Sequence, residues 1–410
     1  AVAAVVMQLC LGTVYAWSIF KKPMMATHGW GETETQAAFM IYAAMFAVSV
    51  ALGGVLVDRK GPRFVGTTGG ILFGTGLVLA GIANTYANVR LLYLAYGVVA
   101  GLGGGFGYVT PITTLIRWSP DKRGLVTGLA VMGYGFGSFI MGNTGPSLIM
   151  KIGIAHTFFW WGSLSLCLVL GSALIMKNPP EKWGPSVPLR QTDRVQAIQK
   201  SFSFGQAVKT PQLWILWLML LMTISAGLGL ISQLSPMAQE VMINAAAGAL
   251  DEEMMKGIVI ASGGVVAIAA IFNGMGRLFW AWISDRTGRK AIFAALFLTQ
   301  AGGYILLAHT VNVMLFTAIS CCLLACYGGS LASMPAFVAD EFGPEHIGKI
   351  YGTIFTACAL AGIVGPYVFA SAKEITGSFT TGLYIISALS VAGFVLSITF
   401  RKPRMEMRDH

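Results

Sequence analysis

Gly54-Val-Leu-Val-Asp58-Arg59-Lys60-Gly61-Pro62-Arg63 and Trp282-Ile-Ser-Asp285-Arg286-Thr287-Gly288-Arg289-Lys290 are two versions of one short polar turn, each set between long apolar runs. Asp58 matches Asp285 and Gly61 matches Gly288 at one constant spacing. A second shared offset pairs Pro111 with Pro335 and Gly128 with Gly352, and Gly145-Pro146 recurs as Gly365-Pro366. The two halves therefore repeat each other in the same direction. In an apolar chain, parallel repeats predict two bundles related about the membrane normal, with a site at midplane between them.

The rest of the chain agrees with that frame. Of its 410 residues, 55% are hydrophobic and 11% charged, about half the charged share of an ordinary soluble domain. Mean hydropathy is +0.71, more apolar surface than one aqueous core can hide. The fold class is therefore an all-α membrane protein, and a soluble enzyme is excluded. The net charge of +10 is no sign of nucleic-acid binding, because the basic residues sit in short connections between apolar runs. The six cysteines (Cys10, Cys167, Cys321, Cys322, Cys326 and Cys358) lie inside apolar runs, so packing thiols are expected rather than a disulfide framework. No cleavable signal is visible, and the chain opens inside an apolar segment, so a cytoplasmic tail is expected to precede it.

A membrane helix needs about 20 mostly apolar residues. Runs of that kind are predicted over 1–20, 35–57, 64–86, 90–116, 123–150, 156–177, 211–239, 256–284, 290–309, 311–338, 347–372 and 377–400, which makes twelve transmembrane helices. Pro179, Pro180, Pro185 and Pro188 mark a polar stretch between the sixth and seventh. The expected organisation is a six-helix bundle over 1–177, a cytoplasmic linker over 178–210, a second six-helix bundle over 211–401 and a tail over 402–410. Lys and Arg crowd the linker, the tail and the connections on their side of the membrane. The opposite connections carry Lys21, Lys22, Arg90, Lys151, Lys256 and Lys373. The positive-inside rule then places both termini in the cytoplasm. Short loops favour a prokaryotic plasma (inner) membrane.

These polar turns resemble the signature loop of the major facilitator superfamily, and the resemblance spans the chain. Three stretches are similar to its oxalate/formate antiporter and monocarboxylate transporter branch: Gly12-Thr-Val-Tyr15-Ala-Trp17-Ser, Trp118-Ser-Pro120-Asp121-Lys122-Arg123-Gly124-Leu125 and Asn273-Gly-Met-Gly-Arg277-Leu-Phe279-Trp280. The turns themselves carry a mechanical expectation. Asp58, Arg59, Arg63, Asp285, Arg286 and Arg289 would form a gating latch that pairs across the bundle interface and breaks when the inside opens. The competing reading is a pair of tight charged turns that fix topology.

Arg277 is the one charged residue expected well inside hydrocarbon. The 17 acidic residues and 5 histidines fall in loops or at run ends, so no partner is foreseen at its depth. An arginine at a helix centre costs about 2.5–3.5 kcal/mol on insertion scales. Its planar fork matches a carboxylate bidentately. Partial snorkelling to water is the competing account. Asn273, one turn earlier on the same face, is read either as a substrate contact or as a bond between helices. Tyr15, Tyr108, Tyr134 and Tyr327 lie on helices that line the pore in the fold resembled, and each is read as ligand contact or packing. Phe355 and Cys358 offer an apolar wall, whereas the apolar run from Trp214 to Met222 reads as lipid-facing or core.

The resemblance narrows the substrate. In the oxalate carriers a second basic residue stands where Tyr351-Gly-Thr-Ile-Phe355-Thr-Ala-Cys358 places Cys358. One fixed positive charge favours a monoanion, so a monocarboxylate of lactate or pyruvate size is expected, unless Lys21 or Lys22 reaches the cavity. The monocarboxylate carriers resembled are proton symporters. Their aspartate before the helix-eight arginine is Asn273 here, and their helix-one lysine is Ile19, so the proton is expected to ride on the substrate. Anion exchange without a proton is the alternative. A membrane enzyme or sensor is more remote, for lack of a metal or nucleophile cluster or an appended signalling domain. No Walker-type loop occurs, and no cofactor is expected. The partners expected are the monocarboxylate, a proton and the bilayer, with a monomer as the working unit.

Overall fold

The structure is a computed structural model that describes residues 2–118, 123–180, 202–246, 251–343 and 346–403. Among these residues every regular element is helical. Helix α1 comes in two pieces, Val2–Ala16 and Ser18–His28, bent by 50°. It is followed by α2 (Glu32–Val57), α3 (Arg59–Thr85) and α4 (Val89–Leu115). Helices α5 and α6 share the stretch Arg123–Ile175, divided at Gly153. The second half holds α7 (Pro211–Ala245), α8 (Glu252–Thr287), α9 (Arg289–Ala308), α10 (Val313–Phe342), α11 (Lys349–Thr376) and α12 (Thr380–Thr399).

Length decides how these helices sit. The apolar stretch Gly133–Ile175 has 43 residues. As one rod it would reach about 65 Å, twice the roughly 30 Å hydrocarbon core. At Gly153 the backbone leaves the helix (φ 79°, ψ 167°), so the stretch makes two passes. Counting the bent α1 as one pass gives twelve, in the order the apolar runs predict. The repeat is visible in the backbone as well. Gly61 (φ 83°, ψ 163°) and Gly288 (φ 89°, ψ 150°), matched in sequence, hold the same left-sided conformation at the α2–α3 and α8–α9 turns. A residue with a Cβ adopts that conformation only under strain.

Alternate crossing sorts the turns into two ends. The linker end carries the α2–α3, α8–α9 and α10–α11 turns and the stretch between α6 and α7. The far end carries the turns at Gly29, Asn84–Asn88, His309–Asn312 and Gly377. Of the linker, residues 202–210 are described. Phe202 donates its N–H to the Phe342 carbonyl (2.9 Å) and stacks edge-on against that ring. Ser203 then caps the short helix Phe204–Lys209.

The run from Trp214 to Met222 divides by helical period: Leu216, Met219 and Leu220 are buried, while Trp214 and Leu218 face out. Several helix pairs join the first six helices to the last six, among them α1 with α7, α5 with α8 and α2 with α11. Gly142 and Gly135 of α5 approach α8 at Gly263 and Ala270, and Gly362 of α11 approaches α2 at Ala43.

One boundary corrects the sequence reading. Helix α1 continues past residue 20 to His28, because a short 3-10 turn (Thr13–Ala16) redirects it instead of ending it. Lys21 and Lys22, assigned above to a connection, are therefore helical. Lys21 is completely buried.

Candidate functional site

Tyr15 sits in the 3-10 turn of α1, where the helix bends. Helix α11 is interrupted at Thr356, between Phe355 and Cys358. The aromatic residues near the bend in α1 touch one another. Tyr15 and Tyr327 join hydroxyl to hydroxyl at 2.9 Å, tying α1 to α10. The Tyr134 ring meets Tyr15 edge-on at 4.9 Å and Tyr108 at 5.5 Å, and Phe46 of α2 packs on Tyr108 at 5.3 Å. Tyr327 and Tyr134 are buried, whereas Tyr15 and Tyr108 keep part of their surface open.

Arg277 of α8 reaches into this group. Tyr108, Tyr15 and Tyr327 lie within electrostatic range of its guanidinium, with Tyr108 in polar contact. Close helix packing makes the approach possible. A Cβ at Gly328 of α10 would collide with the Asn273 carbonyl and crowd Asn273 Oδ1 and Arg277 Cγ. Gly329 likewise makes room for the Trp280 ring. Two polar atoms stay unpartnered in this shell: Arg277 Nε and Asn273 Oδ1 are both buried without a hydrogen bond. Among the described residues no carboxylate pairs with Arg277. Cys358 is 8% exposed and lies within electrostatic range of Tyr15 and Tyr327.

The structure thus brings Arg277, Asn273, Tyr15, Tyr108, Tyr327 and Cys358 into one neighbourhood, with Phe355 beside it on α11. Tyr351 was not singled out by the sequence reading, yet it shares the electrostatic surroundings of Arg277, Tyr108 and Cys358. Its ring contacts Phe355 at 5.7 Å. Helical spacing could have found it, since Tyr351 is one turn before Phe355 and two before Cys358. Phe46 gave no comparable signal, being one apolar residue in a uniformly apolar run.

The charged turns at the linker end are arranged differently from the site. Arg289 pairs with Asp285 (2.7 Å) and Asp340 (2.9 Å) and donates to Ser284 Oγ (2.9 Å), all within the last six helices. Arg286 lies over the Trp282 ring at 3.6 Å. Arg59 and Arg63 are exposed, and the Asp58 side chain falls outside the described ones. Among the described residues no ion pair at this end joins the two halves.

The far end is tied across the halves. Lys21 is 0% exposed, forms an ion pair with Glu32 at the start of α2, and donates to Gln233 Oε1 of α7 at 2.7 Å. Gln233 Nε2 donates to Gln36 Oε1 at 3.2 Å, and Thr33 donates to Glu374. The expectation of a single charged residue inside the spans is corrected here. Lys21 was placed in a connection because the apolar run stops at residue 20, whereas the helix runs on to His28.

Residues 2–366 match the profile of the Major Facilitator Superfamily. The chain belongs to that superfamily. It is 30% identical over 416 residues to the oxalate:formate antiporter of Oxalobacter formigenes, covering 98% of this chain and 90% of that one. Over 129 residues it is 35% identical to monocarboxylate transporter 14 of Mus musculus, covering 32% of this chain and 25% of that one. Its fold is similar to the crystal structure of a D-xylose-proton symporter (TM-score 0.74, 15% identity, 97% and 96% of the two chains). The protein is a multi-pass membrane transporter of the major facilitator fold, in the branch that holds the antiporter and the monocarboxylate carriers.

Proposed function

We propose that this transporter moves small monocarboxylates of the lactate and pyruvate class by proton-coupled symport, with Arg277 binding the substrate carboxylate. The observation that carries the proposal is a guanidinium with no carboxylate partner among the described residues and with Nε free of any hydrogen bond. A buried cation without a counter-ion is expensive, and Arg277 Nε has no acceptor while tyrosine hydroxyls occupy the rest of its surroundings. A carboxylate seated there would accept from Arg277 in a bidentate pair and from the Tyr108 hydroxyl. The carbon skeleton would lie against Tyr15, Tyr327, Phe355 and Cys358. Asn273 Oδ1, also unpartnered, can accept from a substrate hydroxyl.

Charge count supports the monoanion. Lys21 could have supplied a second positive charge, but Glu32 already neutralises it. Arg277 therefore faces the substrate as one uncompensated charge, which one carboxylate balances. A dianion would leave one negative charge buried. Within this reading the proton travels on the substrate, since no acidic side chain pairs with Arg277 among the described residues. The two halves (1–177 and 211–401) rock about the site in alternating access, joined by the 178–210 linker and followed by the 402–410 tail. Both termini face the cytoplasm. The turns at Asp58–Arg63 and Asp285–Arg289 fasten the linker end in the opposite state of the cycle.

The likeness to an oxalate:formate antiporter favours one competing reading, exchange of one carboxylate for another. Uptake of labelled L-lactate into proteoliposomes separates the two. Symport is expected to give accumulation under an inward proton gradient that collapses with an uncoupler. Uptake that ignores the gradient and requires an internal carboxylate would replace symport by exchange. No saturable uptake of any monocarboxylate would overturn the substrate class.

A further inference from the structure

Four polar side chains meet at the far end, away from the substrate site: Lys21, Glu32 and Gln36 from the first half and Gln233 from the second. Lys21, Gln36 and Gln233 are each 0% exposed. One of the four is placed unlike the others. The Lys21–Glu32 pair lies within the first half and would survive separation of the halves. Gln233 alone comes from the other side, and it engages the first half with both ends of its amide. Oε1 accepts from Lys21 Nζ, and Nε2 donates to Gln36 Oε1.

We propose that Gln233 is the lock that holds the far ends of the two halves together. A seam of buried polar groups is an unusual choice on stability grounds alone, since an apolar seam of the same shape commonly serves at least as well. Its advantage is reversibility. When the far end opens, water replaces every hydrogen bond that Gln233 gives up. The closed and open states then differ by little, as a two-state element requires. The lock closes with high specificity for the same reason, because in the closed state a partner removed from a buried polar group is not replaced.

Two substitutions at this one position are expected to act in opposite directions. Gln233→Leu keeps the bulk but strands a donor on Lys21 and the amide of Gln36 in the closed state, so it favours opening. Gln233→Glu turns the neutral acceptor of Lys21 into a carboxylate, making the contact across the halves an ion pair. Gln36 Nε2, which has no partner in the closed state, can turn to donate to the new carboxylate. That variant favours closure. Loss of packing alone would move both variants the same way.

The experiment is a pulsed electron-spin distance measurement on the full chain in lipid nanodiscs. Spin labels are placed through Tyr86→Cys and Val311→Cys, two exposed far-end positions in opposite halves. The outward-facing Cys167 and Cys322 are replaced by Ser in this background. Gln233→Leu is expected to raise the ratio of long to short distances at least fivefold, with Gln36→Leu intermediate. Gln233→Glu is expected to stay at or below the parent ratio. An unchanged distribution in Gln233→Leu, or opening in Gln233→Glu equal to that in Gln233→Leu, overturns the proposal. No substrate is added, so the outcome is independent of what Arg277 binds.

Discussion

Lys21 and Arg277 are cations in the interior of one membrane protein, and the protein surrounds them in opposite ways. Around Lys21 the fold supplies a carboxylate from Glu32 and an amide oxygen from Gln233, and no surface is left for anything else. Around Arg277 it supplies phenols and an asparagine, leaving Nε without an acceptor. The first arrangement is complete in the resting protein, and it joins the two halves. The second is incomplete, and it lies where the halves meet, between a bend in α1 and a break in α11. A compensated charge can serve as a fastening; an uncompensated one is the feature on which the proposed carboxylate site rests.

The contrast breaks first at Arg277. Replacing it with alanine removes the one charged ligand proposed for the carboxylate, and uptake at substrate concentrations below saturation is expected to fall at least 100-fold, about 2.7 kcal/mol. Thermal stability in detergent should stay level or rise, because an unpaired buried charge is lost. Arg277→Lys keeps the charge without the planar fork, and uptake is expected to fall roughly tenfold. Initial-rate uptake with a melting curve on the same preparations checks both. Normal saturable transport by Arg277→Ala would assign the guanidinium a structural role.

Lys21 should show the reverse pattern. Lys21→Met leaves the Glu32 carboxylate facing a buried amide seam. Breaking a fully buried pair costs about 3–5 kcal/mol, but the Glu32 side chain is 15% exposed and can take a proton. The expected loss is therefore about 2 kcal/mol, read as a lowered melting temperature. The double variant Lys21→Met, Glu32→Gln should recover most of it, since the charge and its partner leave together. Equal stability of the single and double variants would show that Glu32 contributes nothing to holding Lys21.

How much of this was legible in the sequence follows from the same contrast. The apolar runs showed every pass, because each must be about 20 residues long to cross hydrocarbon. Gly61 and Gly288 showed the repeat, because only glycine holds that turn without strain. Arg277 stood out as a charge with no partner nearby in the chain. Lys21 did not, for two physical reasons. The bend at Thr13–Trp17 let α1 run on where the apolar run appeared to stop, and the compensating Glu32 and Gln233 come from two other helices. Pairings made in three dimensions leave no trace in a one-dimensional charge count. Tyr351 marks the intermediate case, with a helical spacing to Phe355 and Cys358 that was readable but unweighted.

The smallest effect expected is also the one that sharpens the comparison most, and it comes from adding a cation instead of removing one. Cys358 is buried, within electrostatic range of Tyr15 and Tyr327. In Cys358→Lys the site would hold two uncompensated charges, and a monoanion would balance only one. Oxalate would balance both. The ratio of oxalate to lactate inhibition constants, measured by competition against labelled lactate, is expected to shift toward oxalate about tenfold, about 1.4 kcal/mol. Oxalate should also raise the melting temperature of this variant more than lactate does, because a ligand that binds the folded state alone stabilises it by mass action. If lactate remains preferred while the variant stays folded, charge number does not set the substrate class. Selectivity would then rest on the size of the aromatic enclosure.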